Sequence, residues 1–398
     1  MNTVLVFAER MLPSTQTFIP LQVNELRRYN AQYVGLIPAD RNLALPHQPI
    51  LLANKRTRSA RCRRELYRWL GVAPGFHAST QRIGSQLIHA HFAEAASPAL
   101  FMSNRLDLPL ILHLRGGSEL MPDSELRRHL FQLPFLAYRR RLWQRASLFL
   151  CVSDYIREKA IRAGFPEEKV RVQYTGMNCS AFTPSLPLSE KDPNLVLYVG
   201  RLVPYKGCDY LLRAMQIVRR SRPRAHLVVI GDGMFRASLE QMNRELGVGA
   251  AFLGEQPQQT IRTWLERARV FCGPSVTLED GMSEAFGNVF SESQSMGVPV
   301  VSFRHGGISE TMRDGITGLL APERDVERLA AHLTRYLEDD LFWAQSREEG
   351  MRWVRQQFDV SSQTTKLEAI YDAVIRHFRP GNPFQIAPAE GHAQSFGF

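Results

Sequence analysis

Short apolar runs recur along the chain, separated by polar stretches of helical length. In the first half, residues 4–7, 32–37, 87–90, 110–114, 148–152 and 170–172 read as strands. Residues 18–29, 98–104, 126–145 and 154–163 read as helices between them. A second alternating set follows: strands at 195–199, 226–230, 251–252, 270–273 and 298–303, and helices at 208–219, 235–246, 258–267 and 289–296. Helices then run from 324 to about 378. Runs such as Leu227-Val228-Val229-Ile230 do not alternate, as expected of strands covered on both faces by helices. The pattern predicts an α/β chain of two Rossmann-like domains facing a central cleft.

Length supports two cores, since 398 residues exceed what one comfortably serves. The predicted domains are 1–180 and 194–357. Residues 181–193, with three prolines and no periodicity, read as a linker, and residues 379–398 as a loose tail. A composition of 44% hydrophobic and 22% charged residues excludes a disordered chain. No run of 18 apolar residues occurs, so no spanning helix is predicted. Residues 1–8 lack a basic start and a small-residue cleavage site, and read as a first strand instead of a leader. Cys62, Cys151, Cys179, Cys208 and Cys272 show neither a disulfide framework nor metal-ligand spacing, which fits a reducing cytoplasm.

The net charge of +10 is unevenly spread. Residues 1–190 hold 25 Lys and Arg against 14 Asp and Glu, and residues 191–398 hold 24 against 25. Lys55, Arg56, Arg58, Arg61, Arg63, Arg64 and Arg68 stand close together with Glu65 alone opposing, and Leu66, Trp69 and Leu70 add an apolar edge. Arg139, Arg140, Arg141 and Arg145 form a second cluster. A basic helix with an apolar edge either lies on an anionic membrane surface or presents a solvated face. No nucleic-acid module accompanies the charge, so nucleic acid is not an expected partner.

Candidate chemistry gathers where strands end. Val199-Gly200-Arg201-Leu202-Val203-Pro204-Tyr205-Lys206-Gly207 closes one strand and opens a helix. Its glycines admit a close backbone approach, and a guanidinium fork with an ammonium suits a diphosphate; the alternative is surface ion pairing. Gly231-Asp232-Gly233 is a phosphate-side turn or a plain turn, without the third glycine of a dinucleotide fingerprint or a Walker A pattern. Gly254-Glu255-Gln256-Pro257 either holds a base or turns into the next helix.

The segment from Glu284 to Glu292 places one carboxylate in a glycine-flanked loop and another early in a helix. Glu292 suits a ribose diol or a capping role, and Glu284 suits a sugar. The backbone N–H groups of Phe286, Gly287, Asn288 and Val289 can hold anionic oxygens. After the strand at 110–114, His113 and Arg115 are either ligand contacts or packed strand-end groups. His89 and His91 bracket another strand end, and with no third ligand in view no metal site is predicted.

Together these residues resemble the retaining glycosyltransferases of family 4, which have the GT-B fold. The likeness is carried by VGRLVPYKG, by GDG, and by PSVTLEDGMSEAFGNVFSESQSMGVPVVSFRHGGISETMRDGITGLLAP, with its Glu-x7-Glu pair at Glu284 and Glu292. A closing helix, about 358–378, completes the first domain in that family. Residues 13–19 (PSTQTFI) look like the Ser-Glu-Thr-Phe-Ile opening of members that build exopolysaccharide, colanic-acid-like and lipopolysaccharide chains. The chain departs from the family in lacking the usual glycine pair after the first strand. It also carries Arg115-Gly116 where many members have His-Gly.

The resemblance implies that Arg201 and Lys206 bind a donor diphosphate and that Glu292 holds the ribose. Glu284 and the backbone of Phe286–Val289 meet the donor sugar and its phosphate, while Gln256 and Gly233 lie on the nucleotide side. His113 or Arg115 takes the family histidine's role. The expected reaction moves a hexosyl unit from a UDP- or GDP-sugar to a glycan or lipid-diphosphate-linked acceptor, without a cofactor or metal, in the cytoplasm or peripherally at the cytoplasmic face of the inner membrane. Two rivals remain open: a glycan phosphorylase or nucleotide-sugar epimerase on the same fold, and a silent nucleotide-sugar-binding subunit.

Overall fold

The computed structural model describes residues 2–13, 16–39, 43, 45–55, 57–117 and 120–379; the tail expected to be loose lies outside them from 380 onward. The chain divides into two compact units. Unit 1 comprises Met1–Val152, Ile156–Tyr174 and the chain from Thr364 on; unit 2 comprises Ser153–Tyr155 and Thr175–Gln363. The proline-containing stretch 181–193 groups with unit 2. Lys191 Nζ donates to the carbonyls of Glu266 (2.9 Å) and Ala268 (3.2 Å), and the Ser185 hydroxyl to Glu266 Oε1 (2.6 Å).

Unit 1 has seven parallel strands: β1 (Asn2–Met11), β2 (Tyr29–Pro38), β3 (Ile50–Leu51), β4 (Leu87–His91), β5 (Leu110–Leu114), β6 (Leu148–Cys151) and β7 (Val170–Val172). Their order, β3-β2-β1-β4-β5-β6-β7, reverses direction between β1 and β4, where such sheets leave a crevice at their carboxyl edge. Val4–Ala8 of β1 is buried throughout, the burial its unbroken apolar run predicts. The connecting helices are α1 (Phe18–Asn24), α2 (Arg58–Leu70), α3 (Pro74–Gln81), α4 (Ala96–Leu106), α5 (Asp123–Arg128), α6 (Leu133–Arg145) and α7 (Asp154–Arg162).

Two helices differ from expectation. The one read at 18–29 stops at Asn24, because Arg27 and Arg28 turn their backbone N–H groups to Glu368 and Tyr29 enters β2. The one read at 126–145 is broken into α5 and α6. Pro134 lies in the first turn of α6, where its missing N–H is harmless, as it would not be in a helix interior.

Unit 2 is a six-stranded parallel sheet of β8 (Leu195–Val199), β9 (His226–Ile230), β10 (Ala251–Phe252), β11 (Val270–Cys272), β12 (Val300–Phe303) and β13 (Gly318–Ala321). The order β10-β9-β8-β11-β12-β13 places the reversal between β8 and β11. Helices α8 (Cys208–Ser221), α9 (Arg236–Leu246), α10 (Gln258–Arg267), α11 (Asn288–Ser295) and α12 (Val326–Glu338) connect or follow the strands. Leu211, Leu212 and Met215 of α8 pack with Leu329, Leu333 and Tyr336 of α12 in the unit's core. Then come α13 (Asp340–Phe358) and α14 (Val360–His377). The long helical tract thus has two breaks, at Asp339 and Asp359, whose carboxylates accept N–H groups at the starts of α13 and α14. No described helix is long and apolar enough to cross a membrane.

From Thr364 on, α14 belongs to unit 1. Leu367, Tyr371 and Val374 pack with Val4, Val6 and Ile111. Buried Glu368 takes the backbone N–H groups of Arg27 (2.8 Å) and Arg28 (2.7 Å), and Tyr29 donates its hydroxyl to Asp372 (2.6 Å). Glu368→Ala should strand two backbone donors and lower stability by about 2–4 kcal/mol, read as a lower urea midpoint. Glu368→Gln, which keeps one acceptor oxygen, should lose less.

Candidate active site

In unit 2 the loops leaving all six strands lie at the sheet's carboxyl edge, and the predicted donor-site residues occupy several of them. After β8 the chain makes a short turn at Pro204–Lys206 and reverses at Gly207, which has φ +67°. A side chain at Gly207 would place its Cβ 1.8 Å from the Pro274 carbonyl, which follows β11. Only glycine allows this conformation and this approach of the two loops. They meet at the reversal of strand order, where Lys206 Nζ donates to Glu284 Oε2 in a closely paired contact.

Glu284 is buried and Lys206 nearly so. Burial disfavours the Lys206 ammonium, but the adjacent Glu284 carboxylate more than offsets it, and the Lys206 pKa ends above its ordinary value. Arg201 is exposed and anchored by a 2.6 Å hydrogen bond from Nη2 to the Tyr205 hydroxyl. The Arg201 guanidinium and the Lys206 ammonium lie 5.9 and 5.4 Å from the centre of the Tyr205 ring. Tyr205 thus holds both cations in one loop, a role not singled out from sequence although it stands between them in the chain.

The second residue that sequence reading passed over is His305, after β12. Its Nε2 accepts the Glu284 backbone N–H at 3.1 Å, so its proton sits on Nδ1. That nitrogen faces the Thr277 hydroxyl (3.2 Å) and Glu323 Oε2 (3.4 Å), and Glu323 Oε1 also accepts the Thr277 N–H (2.6 Å). Glu323, beyond β13, therefore orients His305, and His305 pins the backbone that carries Glu284. The His-Gly-Gly run at 305–307 was visible, but the strand β13 that brings Glu323 to it was not predicted.

Glu284, Phe286, Gly287, Asn288, Val289 and Glu292 form one continuous piece. Gly287, with φ +83°, is the residue before α11, and an added Cβ would meet the Phe290 ring at 2.5 Å. Phe286 itself is buried against Phe358, leaving its backbone as the part that faces the loop. Glu292 is partly exposed, and among the described residues its carboxylate has no donor. Desolvation pushes that carboxyl up to about 7. Gln256 donates its side-chain amide to the Leu253 carbonyl (2.7 Å), and the Gly233 N–H is taken by Asp232 Oδ1 (2.7 Å).

His113 and Arg115 are in unit 1. His113 is fully buried and lies directly across the ladder from His91, with His89 beside it. The expectation that His89 and His91 lack a third histidine is therefore corrected: ring nitrogens of all three lie within 4.8 Å of one another, because β4 and β5 pair in that register. Their lone pairs are already engaged. Tyr371 Oη is 2.6 Å from His89 Nδ1, His89 Nε2 is 3.2 Å from His113 Nδ1, and Arg115 Nη2 is 3.3 Å from His91 Nδ1 and 3.4 Å from His113 Nδ1.

Desolvation first, then the Arg115 charge, lowers His89 to about 3. His91 and His113 are held well below the ordinary histidine value, again first by burial. A guanidinium this close repels a metal cation, so the group is a neutral, hydrogen-bonded stack. Arg115 lies over the Phe18 ring at 4.4 Å and keeps some surface exposed.

The raised Glu292 carboxyl makes stability depend on pH. Below about pH 4.5 the group is neutral folded and unfolded; between 4.5 and about 7 the unfolded chain ionises first, and stability falls as pH rises. Above 7 the loss is complete. Glu292→Gln should therefore leave Tm nearly unchanged at pH 4.5 and raise it relative to wild type at pH 8, measured without ligand by calorimetry.

Comparison with known proteins bears on family and fold. Residues 185–354 match the family model described as Glycosyl transferases group 1, and residues 23–181 match Glycosyltransferase Family 4. The amylovoran biosynthesis glycosyltransferase AmsK of Erwinia amylovora is 32% identical over 197 residues, 49% of this chain and 48% of AmsK. A GDP-mannose-dependent monoacylated alpha-(1-6)-phosphatidylinositol monomannoside mannosyltransferase of Corynebacterium glutamicum is 33% identical over 178 residues, 42% of this chain and 46% of the relative. The match thus spans about half the length of each. In fold the chain is similar to Alr3699/HepE of Anabaena, crystallised with UDP and glucose, with a TM-score of 0.74, 20% identity, and coverage of 94% of this chain and 100% of that one. The chain belongs to the family 4 glycosyltransferases and has their two-sheet GT-B fold.

Proposed function

We propose that this chain is a retaining glycosyltransferase that moves a hexosyl unit from a UDP- or GDP-sugar to a glycan or lipid-diphosphate-linked acceptor, in the synthesis of a bacterial surface polysaccharide or exopolysaccharide. The observation that carries the reading is the Lys206–Glu284 pair at the strand-order reversal of unit 2, with Arg201 and Glu292 on the same edge. GDP-mannose dependence in one relative and a UDP complex in one structural neighbour support a nucleotide diphosphate donor.

Lys206 is neutralised by Glu284 in the free protein. An arriving diphosphate competes for that ammonium, with Arg201 as its second contact, and leaves the Glu284 carboxylate free to accept sugar hydroxyls. Glu292 accepts the ribose diol, and the N–H groups of Asn288 and Val289 at the start of α11 face the phosphate. As the anomeric C–O bond breaks, both bonding electrons go to the diphosphate oxygen. Arg201, Lys206 and the helix start stabilise that charge more in the transition state than in the ground state.

The acceptor oxygen attacks the same face, and its proton passes to the departing phosphate oxygen, so configuration is kept without a covalent enzyme intermediate. Gln256 and Gly233 lie on the nucleotide side. Arg115, with solvent-reachable surface, takes the sugar-facing role in unit 1, and buried His113 supports it. The chemistry needs no cofactor or metal in this reading.

UDP-, GDP- and ADP-sugars screened by thermal shift, then by hydrolysis in chelator, should select one base and show turnover; no preference and no turnover would sink the enzyme reading. Glu284→Gln should bind the nucleoside diphosphate at least as tightly as wild type, since a competing charge is gone, while transfer falls by about a hundredfold or more. Equal loss of both would show a merely structural carboxylate.

The basic half also supports peripheral contact with anionic membrane at the cytoplasmic face. Helix α2 carries Arg61 and Arg63 beside exposed Leu66, Trp69 and Leu70, with Val72 just beyond. Flotation should recover the protein with vesicles containing phosphatidylglycerol and not with phosphatidylcholine alone. Equal recovery with the two would remove the membrane contact.

A further inference from the structure

The carboxyl edge of unit 1 holds a second built site, at the reversal between β1 and β4. A cavity of about 480 Å³ is lined there by Glu9 and Arg10 of β1, His91 of β4, Glu94, Arg68 and Phe131. Its volume is in the range of small-molecule sites. Glu9 is buried, with Arg68 Nε 3.3 Å and Arg64 Nε 3.9 Å from its carboxylate. His91 is 2% exposed, and its Nε2 has no hydrogen-bond partner among the described residues. A buried carboxylate and an unused imidazole nitrogen on one wall suit the hydroxyls of a sugar, one accepting and the other donating.

A second cavity, about 430 Å³, adjoins it through the shared residues Arg10 and Arg64 and is otherwise walled by Thr57, Arg58 and Arg61, with Ile37 and Ala60 as its apolar part. No carboxylate lines it among the described residues. Arg10, Arg58 and Arg61 make no ion pair or hydrogen bond through their side chains among the described residues, whereas Arg139 pairs with Asp123 and Arg145 with Asn104 and Asp107. Arg58 and Arg61 also lie at the start of α2, whose first turn has no acidic residue, so the helix dipole repels them. Arg64 is partly neutralised by Glu65, whose Oε1 takes its Nη2 at 2.6 Å. Three uncompensated guanidiniums around one cavity, two of them placed against a helix dipole, still call for an anion of more than one charge. A phosphate ester meets that need better than a single carboxylate.

We infer that unit 1 carries a two-part subsite for a glycosyl phosphate, with the sugar ring in the Glu9–His91 cavity and its phosphate among Arg10, Arg58, Arg61 and Arg64. This rests on the acceptor half of the proposed function, and names the acceptor's chemistry as a sugar bearing an anomeric phosphate or diphosphate. The same chemistry comes from a soluble sugar phosphate or from a lipid-linked sugar diphosphate.

The test is protection of arginines in the full chain from phenylglyoxal, mapped by peptide mass spectrometry so that each site reports separately. The probes are the 1-phosphates of glucose, galactose and mannose, a citronellyl-diphosphate-linked glucose, inorganic pyrophosphate and glucuronic acid. At least one sugar phosphate should slow modification of Arg58 and Arg61 fivefold or more. If the citronellyl compound does so at a tenfold lower concentration than the 1-phosphates, the ligand is lipid-linked; equal concentrations identify a soluble sugar phosphate.

Glu9→Gln should weaken protection by the sugar phosphate at least fivefold and leave protection by pyrophosphate unchanged. The inference is overturned if no phosphate ester protects Arg58 and Arg61, if glucuronic acid protects as well as the sugar phosphates, or if Glu9→Gln weakens pyrophosphate equally. Arg201 in the same maps, protected by UDP or GDP, reports the donor site. Protection at Arg201 without Arg58 and Arg61 sinks only the acceptor subsite, and the converse sinks only the donor reading.

Discussion

The contact between Lys206 and Glu284 is the constraint on which the candidate donor site depends. It joins the loops after β8 and β11, the two strands that flank the reversal of order, and so closes the crevice with a charge pair. The Glu284 carboxylate more than offsets the burial of the Lys206 ammonium, which alone would be forced toward neutrality or out to solvent. The pair requires Gly207, because any Cβ there would collide with the Pro274 carbonyl. It requires His305 and Glu323 as well, because they fix the backbone from which Glu284 projects. Four strand-end loops, after β8, β11, β12 and β13, are thereby tied to one ion pair.

The two sheets share the same strand order around their reversal points, and each point holds a carboxylate beside cations, though the construction differs. In unit 2 both partners come from loops at the sheet edge. In unit 1 Glu9 extends from β1 itself and its cations come from helix α2, so the position of that carboxylate depends on how α2 packs. The histidine stack serves the unit 1 edge differently. By staying neutral it lets Arg115 lie close without repulsion, and Arg115 is anchored at once by His91, His113 and the Phe18 ring.

What was legible in the sequence depended on whether the signal was local. Strands β5, β7, β8, β9 and β10 were read to the residue, because buried parallel strands are unbroken apolar runs bounded by polar turns. The loop carrying Arg201 and Lys206 and the helix start at Gly287 were local as well, since glycines mark where backbone must reverse. The short strand β13 was missed because Gly318–Ala321 is four residues inside a turn-rich stretch, and without it Glu323 could not be placed beside His305. The third histidine escaped for a related reason. His91 and His113 meet only through the register of β4 on β5, and no spacing in one strand reveals which residue lies opposite in the next.

Burial also sets when these carboxylates carry charge. Glu9 and Glu292 are each raised to about 7, chiefly by desolvation, Glu9 in spite of two neighbouring guanidiniums. A protonated carboxyl accepts hydrogen bonds poorly, so a diol or sugar hydroxyl selects the ionised form. The ligand's O–H groups then supply the stabilisation that water gave in the unfolded chain. On the proposed reading, binding at either reversal point is coupled to loss of a proton near neutral pH. A buried carboxylate left short of donors lowers the stability of the free protein, and Glu292, with no donor among the described residues, is the clearer case.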